Sequence, residues 1–197
     1  MRIVVATTNP AKFKEAKEVL QGEDLEILSL GDFPNINPVE ESGDTFEENA
    51  VLKAKGYFLQ TQISCIADDG GLEVEYLGGA PGVHSKRWLG YEATDWELAQ
   101  AILKKLEGVS WEQRKARLGG FISFFDGKNL LTREDWIDGY IMDELKEEIC
   151  PGFPYRPLLY IPQFRKTYAE LTEEEHNKVN FRRKNLRALK SKILELL

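Results

Sequence analysis

Short apolar runs and short apolar stripes alternate along this chain. Residues 2–7 (Arg-Ile-Val-Val-Ala-Thr) are β-branched and nearly continuous, the pattern of a strand buried on both faces. Asn9-Pro10 follows, a good helix cap and first helical residue, with Phe13, Ala16 and Leu20 on one stripe. A helix is predicted over 11–20, then a strand over 25–30 and a loop over 31–44 rich in Gly, Asn, Pro and acids. A second helix starts near Asp44-Thr45, with Phe46, Ala50, Val51, Ala54, Tyr57 and Phe58 on its apolar face. Residues 63–67 predict a strand that ends at Asp68-Asp69-Gly70-Gly71, and 78–90 is glycine-rich and irregular. A helix over 95–106 is capped by Thr94 or Asp95. Segments 116–125 and 129–141 flank Asp126-Gly127-Lys128, a hairpin turn. Four prolines exclude a regular helix over 151–162. Thr172-Glu173-Glu174-Glu175 matches a capping box and opens a last helix predicted to run to the C-terminus. The element order predicts an α/β fold: a mixed twisted sheet with flanking helices, in two lobes around a central cleft.

Length and charge narrow the partners. A chain of 197 residues fits one two-lobed domain over 1–197 and can bury a core without staples. The net charge of −7 and the lack of a continuous basic stripe argue against nucleic acid as a partner, though not against a local basic pocket for a nucleotide. No apolar run is long enough to span a bilayer, and the start carries no signal-peptide pattern, so no membrane partner is expected. Two cysteines, Cys65 and Cys150, make no disulfide framework and suit a reducing cytoplasm; two histidines, His84 and His176, exclude a His-rich metal cage.

Four segments carry candidate chemistry. Thr7-Thr8-Asn9-Pro10-Ala11-Lys12 is a strand-to-helix turn, whose free amides and positive dipole end suit phosphate, with Lys12 in reach of the same anion. On this segment alone a capped helix with a solvated lysine is the plainer reading, since such turns are common. The run from Glu40-Glu41 to Lys53 sets acids before a helix, where they suit Mg²⁺ or simply the helix dipole; Lys53 suits phosphate or a neighbouring acid. Asp68-Asp69 at the end of an apolar strand sit where open α/β sheets bind ligands, and two adjacent acids there point to a cation or to activation of water. Gly78-Gly79-Ala80-Pro81-Gly82-Val83-His84-Ser85-Lys86-Arg87 frees backbone to approach a ligand and offers donors for phosphate oxygens, or is an ordinary surface turn.

Taken in order, these blocks resemble the inosine triphosphate pyrophosphatase family over nearly the whole chain. The resemblance rests on Thr-Thr-Asn-Pro-Ala-Lys, Ser42-Gly43-Asp44-Thr45-Phe46-Glu47-Glu48-Asn49-Ala50, Ala67-Asp68-Asp69-Gly70-Gly71-Leu72 and Leu77-Gly78-Gly79-Ala80-Pro81-Gly82-Val83. Gly152-Phe153, Lys166-Thr167-Tyr168-Ala169-Glu170-Leu171 and Arg182 extend it. It implies a two-lobed homodimer and Mg²⁺-dependent cleavage of a non-standard purine nucleoside triphosphate to monophosphate and pyrophosphate. By matched position, Thr7, Thr8, Asn9, Lys12 and Lys53 would hold the triphosphate. Glu41, Asp68 and Asp69 would serve the metal, with Asp69 also aligning or deprotonating the attacking water. Ser85, Arg87, Phe153, Tyr155, Arg156, Lys166, Phe181 and Arg182 would bind the rest of the substrate.

The base-reading half departs from the family. Phe153-Pro154-Tyr155-Arg156-Pro157 stands where Phe-Gly-Tyr or Phe-Gly-Trp, then Asp-Pro, is usual, and Asn180-Phe181-Arg182 where Ser-His-Arg is usual. Gly70 replaces a usual serine. Asp to Arg turns an acceptor into donors only, and Phe181 removes a donor for a 6-keto oxygen. These changes suit a pyrophosphatase for a modified, pathway-specific nucleotide with an acceptor-rich or anionic group. The alternative is that Arg156 points to solvent and Phe181 merely packs. A non-catalytic nucleotide binder is the other class, but it would have no need of Glu41, Asp68 and Asp69 together.

Overall fold

The computed structural model describes residues 1–22 and 24–196, with Lys86 and Arg87 described by backbone alone. Its strands are β1 (Arg2–Val5), β2 (Glu26–Ser29), β3 (Ser64–Val74), β4 (Lys115–Phe125), β5 (Leu130–Ile141), β6 (Leu159–Ile161) and β7 (Lys166–Thr167). The helices are α1 (Pro10–Leu20), α2 (Phe46–Thr61), α3 (Asp95–Lys105), α4 (Glu173–Val179) and α5 (Phe181–Leu194). The strands pair in the order β2-β1-β3-β4-β5-β6-β7. β1 runs parallel to β2 and β3, whereas β5–β6 and β6–β7 are antiparallel, so the sheet is mixed and the fold is α/β as predicted.

Local chemistry sets the helix starts. Asn9 accepts from the amides of Ala11 and Lys12, and Thr45, Thr94 and Thr172 each close a capping box with a glutamate three residues on.

The chain divides into two compact units, Met1–Asp69 with Gly120–Asp135 and Phe181–Leu197, and Gly70–Gly119 with Trp136–Asn180. In the first, alternate residues of β1 enter different apolar clusters. Ile3 and Val5 pack with Ala16 and Leu20 of α1, Ile66 of β3 and Leu186, Leu189 and Ile193 of α5. Val4 and Ala6 pack with Ala54 and Tyr57 of α2 and with Cys65 and Ala67 of β3. Period-two side-chain alternation on a strand covered on both faces produces this division. The second unit has its own core, including Leu72, Val74, Leu98, Ile102, Leu106, Ile141, Leu158 and Tyr168.

Two elements differ from the sequence expectation. The strand predicted to stop at Ala67 continues to Val74. Leu72 and Val74 are fully buried, and that resumed apolar alternation draws Asp68-Asp69-Gly70-Gly71 into extended backbone rather than a turn. In register, the last β1 partner of β3 is Ile66, so the two aspartates still lie beyond the carboxyl end of the parallel pair. The single last helix is instead α4 and α5, broken at Asn180. Asn180 is extended (ψ 107°), its amide donates to the His176 carbonyl, and its side-chain nitrogen lies 3.3 Å from His176 Nδ1. Such local side-chain bonding competes with helix propagation.

Candidate functional site

Three helices of the first unit place charged residues in their buried stripes. On α2 the buried positions are Phe46, Asn49, Ala50, Lys53, Ala54 and Tyr57, a regular helical spacing that includes a lysine. On α1 they are Glu15, Ala16 and Leu20, with Lys12 half-buried one turn before Ala16. On α5 they are Phe181, Arg182, Asn185, Leu186, Leu189 and Ile193. Charges facing a core are costly unless paired, and these meet at Asp68 and Asp69 of β3.

The pleat of β3 sorts the partners. Asp68 shares the side-chain parity of Ile66, which packs with α1 and α5; Asp69 shares the parity of Cys65 and Ala67, which pack with α2. Accordingly, Asp68 Oδ2 accepts from Lys12 Nζ at 3.0 Å and from Arg182 Nε and Nη2 at 3.1 and 2.8 Å. Arg182 Nη1 donates to Glu15 Oε2 at 2.8 Å. Lys53 Nζ donates to Asp69 Oδ1 at 2.8 Å and lies 3.3 Å from Glu41 Oε2. Glu41 is held near α2 by its loop: the Gly43 amide donates to Asn49 Oδ1, and Asn49 Nδ2 donates to the Gly43 carbonyl.

The surroundings separate the two carboxylates. Burial alone would raise Asp68, but Arg182, then Lys12 and Lys53, hold it far below the usual carboxylate range. Burial raises Asp69 to about 6, against the pull of Lys53. Burial lowers Lys12, with Arg182 and Lys53 adding to the effect against Asp68. Burial also opposes the charge on Lys53, yet Asp69, Asp68 and Glu41 outweigh it and raise that ammonium. A permanently charged acid beside a second acid that titrates near neutrality is an arrangement suited to metal binding and water activation.

Mg²⁺ fits this donor set. Asp69 Oδ2 is buried and has no hydrogen-bond partner, an acceptor available to a cation. The nearby donors are carboxylate oxygens, the ligand type Mg²⁺ prefers. Among the described residues no three His, Cys, Asp or Glu side chains gather into a complete cage. Mg²⁺ needs none, since one or two carboxylates plus substrate phosphates commonly hold it.

The other sequence candidates stand elsewhere. Thr7 Oγ1 accepts from the Asn9 amide, Thr8 is exposed, and Asn9 caps α1. Phe181 is buried, with the Arg182 guanidinium carbon 4.9 Å from its ring centre. In the second unit, Ser85 Oγ donates to the Gly82 carbonyl, and the side chain of Arg87 lies outside the described residues. Arg156 lies over Phe153, its guanidinium carbon 3.4 Å from the ring centre, and 5.2 Å from that of Tyr168. Tyr155 is buried in the apolar core, and Lys166 Nζ donates to both oxygens of Glu175 at 2.9 and 2.8 Å.

The sequence reading missed Glu15. Its signal was a charged residue adjacent to Ala16 and five before Leu20, within the stripe of α1. Arg182 likewise stands four residues before Leu186 and seven before Leu189, inside the apolar face of α5.

The chain is similar over its whole length to known proteins. The chain is 42% identical over 200 residues to a dITP/XTP pyrophosphatase of Caldanaerobacter subterraneus subsp. tengcongensis, covering 100% of this chain and 98% of that protein. It is 39% identical over 193 residues to the dITP/XTP pyrophosphatase of Bacillus subtilis (strain 168), covering 98% and 96%. Among solved structures, the Staphylococcus aureus Ham1 protein superposes with a TM-score of 0.85 at 30% identity over 100% of both chains. A Ham1 protein from Coxiella burnetii gives 0.84 at 34% identity over 99% of both. The Ham1 family model matches residues 3–192, and this chain belongs to the Ham1 family.

Proposed function

We propose that this protein is a nucleoside triphosphate pyrophosphatase that hydrolyses non-standard purine nucleotides to the monophosphate and pyrophosphate. The observation that carries the reading is the convergence of Lys12 and Lys53 on Asp68 and Asp69. Two full-length relatives named as dITP/XTP pyrophosphatases support the substrate class. The attacked phosphorus is ringed by negative oxygens, and Lys12 and Lys53 supply cations that neutralise them as charge develops. Asp69, titrating near 6, is mostly ionised at neutral pH and still basic enough to accept a proton from water. Water adds to the α-phosphorus, the bond to the bridging oxygen of the β-phosphate breaks, and pyrophosphate leaves. Asp69 and the second oxygen of Asp68, with substrate phosphates, would hold Mg²⁺, and Glu41 would serve it from the Lys53 side; when bound the ion polarises the phosphate oxygens and lowers the pKa of water. Thr7, Thr8 and the Asn9 turn serve the phosphates in this reading. Phe153, Tyr155, Arg156, Lys166, Ser85 and Arg87 serve the remainder of the substrate. The homodimer and cytoplasmic setting expected from the resemblance and the cysteine usage belong to the same reading.

Arg156 favours a second version, an enzyme tuned to an acceptor-rich or anionic base. Its guanidinium covers one face of Phe153, so donors lie where a bare aromatic ring would otherwise be offered for stacking. The test is a panel of standard, deaminated and modified nucleoside triphosphates with Mg²⁺. Turnover of inosine or xanthosine triphosphate supports the general reading. Turnover of neither, with a modified base accepted, supports the second.

A further inference from the structure

We propose that Glu15 is a positioning residue: by holding Arg182 it fixes how Asp68 presents its second oxygen to the cation and phosphates. This rests on the pyrophosphatase reading, in which Asp68 serves that cation. The geometry is a chain of short contacts within one unit. Glu15 Oε2 accepts from Arg182 Nη1 at 2.8 Å, and Arg182 Nε and Nη2 both donate to Asp68 Oδ2. Lys12 donates to the same oxygen. A guanidinium is planar and rigid, so fixing one edge on Glu15 fixes the fork at the other. Three donors on Oδ2 leave Oδ1 as the oxygen for a metal, and a planar carboxylate anchored through one oxygen has little freedom in the other. Glu15 and Arg182 are 7% and 4% exposed, too little for either to be a solvated surface ion. The two residues come from helices that pack together, α1 and α5, so the contact joins the packing of the unit to the aim of one carboxylate.

Arg182, which the family resemblance sets among the substrate contacts, thus also braces Asp68 against Glu15. Partners of this kind typically change metal affinity or activity by about 10- to 100-fold when removed.

The test uses full-length protein carrying Glu15→Gln, with Arg182→Lys as a second variant in case the first fails to fold, and the double variant. Mn²⁺ alone is titrated and the free ion followed by electron paramagnetic resonance, while kcat and KM are measured on the best nucleotide of the panel. The expected result is Mn²⁺ affinity down about 10-fold and kcat down by a similar factor, with KM within twofold and partial recovery in Glu15→Asp. The double variant is expected to be no worse than the worse single one, because the two residues act as one unit. Unchanged Mn²⁺ affinity in folded variants would overturn the proposal. A raised KM that depends on the base, with kcat intact, would also overturn it, because Arg182 would then contact substrate. If wild-type protein releases no pyrophosphate from any nucleotide, the pyrophosphatase reading fails, and the Mn²⁺ arm still decides the role of Glu15.

Discussion

Lys53 and Asp69 form a 2.8 Å ion pair between the buried stripe of α2 and the middle of β3, with Glu41 3.3 Å from the same ammonium. One cation therefore restrains two acids that would otherwise repel. Removing it should do more than delete a phosphate contact. Lys53→Met is expected to lower kcat by about 10²–10³-fold, the usual effect of losing one preorganised charge on developing oxyanions. Steady-state kinetics checks this; a loss under threefold would contradict it.

Asp69 costs stability in the metal-free protein. Its folded-state pKa is raised to about 6 from an ordinary 3.8, so the folded state prefers the protonated acid. The penalty is fully present above pH 6, shrinks as pH falls through 6 towards 4, and is absent below that. Asp69→Asn should therefore melt at a higher temperature than wild type in EDTA at pH 7.5, with no gain near pH 4. Thermal melts across that range check it, and a variant less stable at pH 7.5 would contradict the sign. The same variant should lose activity, the trade expected where function needs a strained site.

Gly43 keeps the acidic loop on α2. A Cβ there would meet Glu48 Cβ at 2.6 Å and Asn49 Oδ1 at 2.9 Å, so the loop must move to admit one. Gly43→Ala is expected to cost about 1–3 kcal/mol and to weaken Mg²⁺ activation through displaced Glu41. Denaturant melts and Mg²⁺ titration of activity are the measurements; wild-type values in both would show that the loop yields freely.

Arg156 should decide base preference. Arg156→Asp together with Phe181→His is expected to shift the kcat/KM ratio of hypoxanthine to xanthine nucleotides by about tenfold or more, since mismatched polar groups left unpaired are strongly selected against. An unchanged ratio would mean that Arg156 only packs on Phe153 and that Phe181 is only core.

Cys65 is fully buried and its thiol is pushed up to about 12 by burial, whereas Cys150 is half-buried. Native protein at pH 8 should take one iodoacetamide label, on Cys150, because the thiolate is the reacting species. Labelling of Cys65 at a comparable rate would show that β3 opens.

The elements with strong local signals were legible in the sequence. The Asn9-Pro10 start, the helix starts near Asp44-Thr45 and at Thr94, the Thr172 capping box and the Asp126-Gly127-Lys128 hairpin are written in a few adjacent residues, and each forms where predicted. Glycine pairs and glutamate runs misled where tertiary packing decides. Gly70-Gly71 stays extended because Leu72 and Val74 are buried, and the glutamate-started helix stops at Asn180 because Asn180 bonds back to His176. At the site, Lys12, Lys53, Asp68 and Asp69 were recognisable as chemistry-bearing residues, and the structure joins them as two ion pairs. Which lysine pairs with which acid was not legible, because it follows from the parity of β3 and from which helix covers each face. Glu15 was missed for the same reason, since its partner lies 167 residues away on α5.

The most direct test is product identity. Purified protein with Mg²⁺ and inosine triphosphate in ¹⁸O-water would be followed by chromatography and mass spectrometry, beside Asp69→Asn. The account predicts inosine monophosphate carrying one ¹⁸O, unlabelled pyrophosphate, and a rate at least 10²-fold lower in the variant. Inosine diphosphate with single phosphate, label in pyrophosphate, or an Asp69→Asn variant as fast as wild type would contradict it.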